Sequence, residues 1–414
     1  MIDTRDFLEA VAGYSDQPVE GKPSAKDRPV KLGTVDQYYT AGLARVLFDG
    51  EPVMSLKGYA WDSAYTPVAG DRVYLIPVGQ SYIISGKIQS TTPYARYFSL
   101  PMTNGWVDYD TINYQSGSFT KTVSGIVKLT GVIKNGNAAN NALIATLPQG
   151  FRPAKRMIFA ADSNGVAGTL TVDANGEVRV KQWINATWLS LSQVTFPTEI
   201  LNWRDVTLLN GFTVGLDYQV GPPQFAIDAY KRVWFRGAAI KTGGNPAADT
   251  TMFVLPTEAK VGITHHVLMP TLDGSSNFGH GDFLPAGDVR WKTGSATTHM
   301  AFGGIMIPDV TNTWSSPTFQ GGWLNYDAAS FTPAGYYKDA DGVVHVRGLV
   351  RSGAINSTIF NLPAGYRPSK TIIRENSSNQ AMGRVDIFSS GNIIPVAGSN
   401  GWFSLDGISF TPEA

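Results

Sequence analysis

From Val30 onward, short runs of alternating apolar and polar residues are separated by clusters of Gly, Pro, Asn and Asp. A period of two sends successive side chains to opposite faces of a strand, and those four residue types build turns. The pattern therefore predicts strands along nearly the whole chain. Early ones are expected at Val30–Val35, Ala44–Phe48, Asp71–Ile76 and Ser81–Ser85, with turns at Asp49-Gly50, Pro67-Val-Ala-Gly70 and Val78-Gly79. Strands this short and close together gain most from closure, which removes unpaired edges. A small barrel is expected over residues 30–90. Residues 1–29 read differently: a short helix candidate from Asp6 to Ala12, then a polar, proline-punctuated run, Ser15–Pro29, expected to be an N-terminal docking arm.

Beyond residue 90 the chain repeats itself. Leu147-Pro-Gln-Gly-Phe-Arg-Pro-Ala-Lys155 returns as Leu362-Pro-Ala-Gly-Tyr-Arg-Pro-Ser-Lys370. A turn glycine follows 28 residues after the first proline in both copies (176 against 148, 391 against 363). Trp106 precedes Gly131 by 25 residues, as Trp323 precedes Gly348. The copies close with Trp188-Leu-Ser-Leu and Trp402-Phe-Ser-Leu. A divergent middle copy runs from Trp203 through Arg232-Val-Trp-Phe-Arg-Gly237 to Leu255-Pro256, with a longer Trp-to-Gly separation of 34 residues. The glycines at 131, 237 and 348 set a period of 106–111 residues. That is far longer than a solenoid unit and suits one β-sandwich per copy. The fold class expected is all-β: the arm (1–29), the barrel (30–90), then three tandem β-sandwich-like modules at 91–200, 201–316 and 317–414. Each module is expected to be a domain of its own. In its recurring strand, Ile126–Thr130 or Val344–Arg347, one face would pack inward and the other would meet solvent. The Arg of the Leu-Pro-x-Gly-Phe/Tyr-Arg-Pro turn is expected to hydrogen-bond across a neighbouring strand end.

Composition narrows the class. The 33 basic and 33 acidic residues cancel and charged residues make up only 16%, so the footprint that binds nucleic acid is missing. With no cysteine, thiolate chemistry, disulfides and Cys-based metal sites are excluded. No apolar run is long enough for a membrane span, and no signal peptide is expected from the first residues.

Tyr65-Thr-Pro-Val-Ala-Gly-Asp-Arg-Val-Tyr-Leu75 with Val78-Gly-Gln-Ser-Tyr-Ile-Ile-Ser-Gly-Lys87 resembles an OB-fold module of phage tail spikes and minor tail proteins. The Leu-Pro-x-Gly-Tyr-Arg-Pro turn, with Asn400-Gly-Trp-Phe-Ser-Leu-Asp-Gly-Ile-Ser-Phe410, is similar to C-terminal modules of phage fibre and receptor-binding proteins. The resemblance implies a siphophage tail-tip, fibre or receptor-binding protein, a virion part assembled in the host cytoplasm. It also implies a homotrimer that meets other tail proteins through residues 1–90 and turns its C-terminal modules toward a host-surface glycan. A purely architectural collar or baseplate part is the alternative, and a surface-polysaccharide depolymerase a further one.

Catalysis needs convergent groups, and none is expected. The five histidines are His265, His266, His280, His299 and His345, four of them in the middle copy. The adjacent pair would face opposite ways on a strand, so no metal or cofactor site is assigned. Glycosidase carboxylates could come from Asp108 with Asp110 or Asp339 with Asp341; turn chemistry accounts for the second pair and surface polarity for the first. Recurrent tryptophans read as core. Trp291, Tyr336 and Tyr337 lie near loops and are the candidate glycan contacts.

Overall fold

The computed structural model describes residues 28–36, 39, 41–63, 65–88, 97–198, 201–215, 219–272, 278–294, 299–309 and 311–412. The arm and its helix candidate lie almost wholly outside these. The chain is all-β, as its periodicity requires, with a single-turn 3₁₀ element at Thr257–Ala259. No helix among the described residues is long and apolar enough to cross a membrane. The chain divides into two units, one holding residues 28–88 and the other the repeat modules.

The first unit is a five-stranded sheet: β1 (Lys31–Val35), β2 (Ala44–Phe48), β3 (Gly58–Tyr59), β4 (Arg72–Val78) and β5 (Ser81–Lys87), in the order β3-β2-β1-β4-β5. Its ends meet through a parallel bridge between Trp61 and Ile84. There Asp62 N donates to Ile84 O at 2.9 Å and Ile84 N to Ala60 O at 2.9 Å. The sheet is thus a small closed barrel. Val35, Ala44, Val46, Val73, Leu75 and Ile84 fill it, while Tyr74 and Ile76 between them face out. Alternation along β4 therefore fixed its register, as expected. The brief β3 carried no alternation to announce it.

All three modules share one plan. In the third, a seven-stranded sheet runs Leu324–Asn325, Leu349–Arg351, Phe403–Ser404, Ile372–Ser378, Ala381–Ile387, Asn392–Ala397, Phe360–Asn361. A three-stranded sheet, Gly335–Lys338, Val344–Arg347 and Ile408–Phe410, covers it. The second module repeats the seven-stranded order, and the first splits it into sheets of three and four strands. Trp323, Phe360, Val385, Ile393 and Phe403 lie at the centre of the third module's core.

The matched spacings have local causes. Arg152 Nε donates to Leu147 O at 2.9 Å and Arg367 Nε to Leu362 O at 2.7 Å. Leu147 N and Leu362 N in turn donate to Gly176 O and Gly391 O, each at 2.8 Å. A Cβ on Gly176 would lie 2.4 Å from Leu147 O and 2.7 Å from Arg152 Nε, so the turn accepts only glycine. The 28-residue interval is the chain length between the two halves of this clamp. The middle copy keeps it in disguise: Leu255 N donates to Gly287 O at 2.8 Å, and Lys260 lies where Arg152 and Arg367 do. Its apparent 34-residue interval also dissolves. Phe212, 25 residues before Gly237, fills the place of Trp106 and Trp323. All three residues close a turn through the same bond: Trp106 N to Thr103 O, Phe212 N to Leu209 O and Trp323 N to Gln320 O.

The solvent-facing side expected for the recurring strand is not found. The three modules fall in one compact unit. In Ile126–Thr130 every residue is buried, Lys128 and Thr130 included, and Val344–Val346 are buried alike. The face expected to meet solvent is covered by neighbouring modules.

Candidate functional site

The strands Met157–Ser163, His265–Leu272 and Ile372–Ser378 occupy one position in the three modules, and they pack against each other. Around them the modules join head to tail. Tyr114 of the first makes a parallel bridge with Thr371 of the third, and Phe331 of the third one with Thr264 of the second. Ser190 Oγ donates to Ile373 O at 2.9 Å, and Ser404 Oγ to His266 O at 2.8 Å, across the same two junctions. The third junction is apolar. Val220, at the place of Tyr114 and Phe331, packs with Ile158, and a Cβ on Gly303 would lie 2.3 Å from Ile158 O. Three like junctions close a ring with approximate three-fold symmetry within one chain.

Polar side chains concentrate where the ring closes. At one level the hairpin turns of the three modules meet: Arg232 Nη2 donates to Ser124 Oγ at 2.7 Å, and Arg232 Nη1 to Asp339 at 3.1 Å and Asp341 at 3.2 Å. His345 Nε2 lies 2.8 Å from Asp339, which also accepts the backbone N–H groups of Asp341 and Val343. Burial pushes the Asp339 carboxyl up, but the bonds from His345 and Val343 and the Arg232 charge outweigh it and hold it below its ordinary range. Lys128, at the place of His345, donates to Ser409 Oγ at 2.7 Å; burial, with the nearby Arg374 charge, pushes its ammonium down to about 7.

Between the second and third modules lies a serine–histidine–aspartate relay. Ser377 Oγ is 2.9 Å from His266 Nε2, and His266 Nδ1 is hydrogen-bonded to Asp282. Ser377 Oγ also contacts His280 Nδ1, and burial, then the neighbouring His266, drives His280 down to about 3, so it stays neutral. A nucleophile needs access and an electrophile beside it. Ser377 is 1% exposed near the hairpin end of an antiparallel strand, and Trp402 closes over His266 with its ring 4.6 Å away. The relay ties two modules together. His265 turns to Asp406 at 3.5 Å. No group of three His, Asp or Glu is gathered for a metal ion among the described residues.

Of the three candidate aromatic contacts, two are buried and one is half-buried. Trp291 is 5% exposed within the second module's core. Tyr337 is 7% exposed and lies between Trp314, at 4.4 Å, and His345, stacked at 4.8 Å. Tyr336 packs half-buried on Phe360 and Tyr366. Each lies on a strand next to a loop, and the rings of Trp291 and Tyr337 turn inward from it. Asp108 accepts Gly117 N at 2.7 Å and Asp110 the N–H groups of its own turn, so this pair does not converge.

A groove of about 410 Å³ opens at the junction of the first and third modules, lined by Tyr109, Asp110, Asn113, Tyr114, Lys370 and Phe388. The tyrosine rings lie 5.9 Å apart at 56°. Asn113 Nδ2 donates to Asp110 at 2.7 Å; this bond, with the backbone N–H of Ile112, keeps the carboxyl below its usual range and so ionised. Rings beside a carboxylate, an amide and an ammonium offer an apolar face with hydrogen-bonding groups at its edge, the chemistry that holds a sugar. The internal repeat could have pointed here, because Tyr109-Asp-Thr-Ile-Asn-Tyr114 aligns with Tyr326-Asp-Ala-Ala-Ser-Phe331. Comparison with protein-family models, curated proteins and solved structures gives no match to this chain.

Proposed function

We propose that this chain is an attachment component of a bacteriophage tail. Its barrel, of OB type, mounts it among other tail proteins, and its three-module head meets a host-surface glycan. The observation that carries the reading is the closed ring of three like modules. One chain supplies the three-fold arrangement that tail fibres otherwise obtain from a homotrimer, with its polar groups spent on sealing the junctions. The motifs around Leu362–Lys370 and Asn400–Phe410 support the same assignment, and the open groove supplies a glycan-binding surface. The depolymerase reading finds no support in the relay, because Ser377 is sealed, nor in the two aspartate pairs, whose oxygens are engaged in turns and junctions.

The test is competition. Purified full-length protein is expected to saturate host cells and block adsorption of the parent particle, with no release of reducing sugar from host envelope. Unchanged adsorption at saturating protein would leave the purely architectural reading. Sugar release would establish the depolymerase.

A further inference from the structure

Each module carries a β-bulge at one place in its central hairpin: the register slips at Lys181, at Lys292 and at Val396. Two residues on, seven past the turn glycine in every module, the backbone turns left-handed. The second and third modules have Gly294 (φ +107°) and Gly398 (φ +129°) there. The first has Trp183, at φ +58°. Glycine adopts this conformation freely, whereas a bulky side chain there is a true outlier, held only where something else requires it.

Packing does not require it. A side chain at Gly294 would drive its Cβ to 2.5 Å from Gly279 Cα, and one at Gly398 to 2.6 Å from Ser378 Oγ. Those two positions are closed. In the first module the same position is open, and Trp183 is 55% exposed, while Trp188, five residues on, is buried. Val166, 43% exposed, lies on the adjoining strand, two residues before Gly168, whose backbone faces that of Trp183. Asn164, at the hairpin turn two residues before Val166, and Asn185, two residues after Trp183, are exposed amides. A bulge re-aims a side chain, and here it aims the largest one outward.

We propose that Trp183 is a saccharide-binding platform, its indole stacking on the apolar face of a neutral pyranose with amide side chains at the rim. The proposal rests on the host-glycan reading above and adds a residue outside the groove lining.

The experiment compares the full chain with W183G and W183F by calorimetric titration with chitohexaose, maltohexaose and purified host-envelope glycan, together with thermal melts. The wild type is expected to bind at least one probe saturably. W183G should bind it about tenfold more weakly, the scale of one lost stacking contact, and should melt at the same temperature or higher, because glycine relieves the backbone. W183F should fall between. Equal affinity of W183G and wild type overturns the platform and leaves the glycan reading standing. No binding to any probe by the wild type overturns both. A lower melting temperature for W183G makes Trp183 a structural residue and also overturns the platform.

Discussion

Replacing Arg232 by methionine should weaken all three modules at once. Its side chain is 4% exposed and its acidic partners are similarly buried, Asp228 at 2.6 Å, Asp339 at 3.1 Å and Asp341 at 3.2 Å. Removing one member of a buried ionic cluster costs about 3–5 kcal/mol, because the remaining charges lose their counterion without regaining water. Each carboxylate keeps neutral donors here: Trp234 Nε1 on Asp228 at 2.9 Å, His345 on Asp339 at 2.8 Å and Ser124 N on Asp341 at 3.1 Å. That favours the low end, about 3 kcal/mol, or a fall in Tm of roughly 5–10 °C. Differential scanning calorimetry should show one transition moving as a whole. The pH dependence gives a second signature. Asp339 is held below its unfolded value, so its contribution to stability is present above pH ~4 and is lost as pH falls through the folded value. Part of that depression comes from Arg232, so the gap between variant and wild type should narrow as pH drops below about 4. A loss under about 1 kcal/mol, a gap independent of pH, or the shift of one transition out of several would refute the reasoning.

Three further outcomes follow from the same packing. Ser377→Ala should lower stability by about 1–3 kcal/mol in denaturant titrations, because His266 and His280 lose a buried partner; a fluorophosphonate probe should leave native Ser377 unlabelled by mass spectrometry, and an adduct there would reopen the catalytic question. Gly136→Ala would place a Cβ 2.1 Å from the Trp106 ring, an overpacking expected to cost about 1–3 kcal/mol; an unchanged denaturation midpoint would count against the reading of Trp106 as core. Lys128 has a folded value of about 7, below its unfolded value, so the unfolded chain binds the extra proton and stability should rise as pH increases from about 7 toward 10. Lys128→Met should flatten that slope, and a slope that survives the change would show that Lys128 does not cause it.

Much of the fold was legible because it rests on local rules. Alternation placed Val73 and Leu75 inside the barrel, and the paired Leu-Pro-x-Gly-Phe/Tyr-Arg-Pro turns located matching hairpins more than two hundred residues apart. What stayed hidden depends on contacts between modules. Lys128 and His345 read as solvent-facing because a lone sandwich would expose them; only the ring buries them. Trp203 was aligned with Trp106 on residue type, although Phe212 holds the equivalent place. Trp291, Tyr336 and Tyr337 were judged by their loops, and strand direction turned them inward or half inward. Trp183 was visible in principle, since a tryptophan where two sister copies have glycine is a sequence-level anomaly. Recognising it needed the alignment on the turn glycines, which the shifted spacing of the middle copy obscured.

That divergence has a physical reason in the ring itself. In a homotrimer any residue near the axis appears three times, so a buried charge there meets two copies of itself. Within one chain the equivalent positions are free to differ, and they do: Lys128, Trp234 and His345 at one level, Ala160, Leu268 and Glu375 at another. Glu375 is 2% exposed with neither carboxylate oxygen hydrogen-bonded, and burial, with the Asp162 charge nearby, raises its pKa well above the usual range. Three such glutamates around an axis would repel or remain protonated together; one beside an alanine and a leucine is tolerable. The same freedom allows Arg232 to serve acidic groups from two modules and Trp183 to stand where its sisters require glycine. The copies have therefore diverged most where they meet and where one of them faces outward, which are the places at which a strict repeat would be costly.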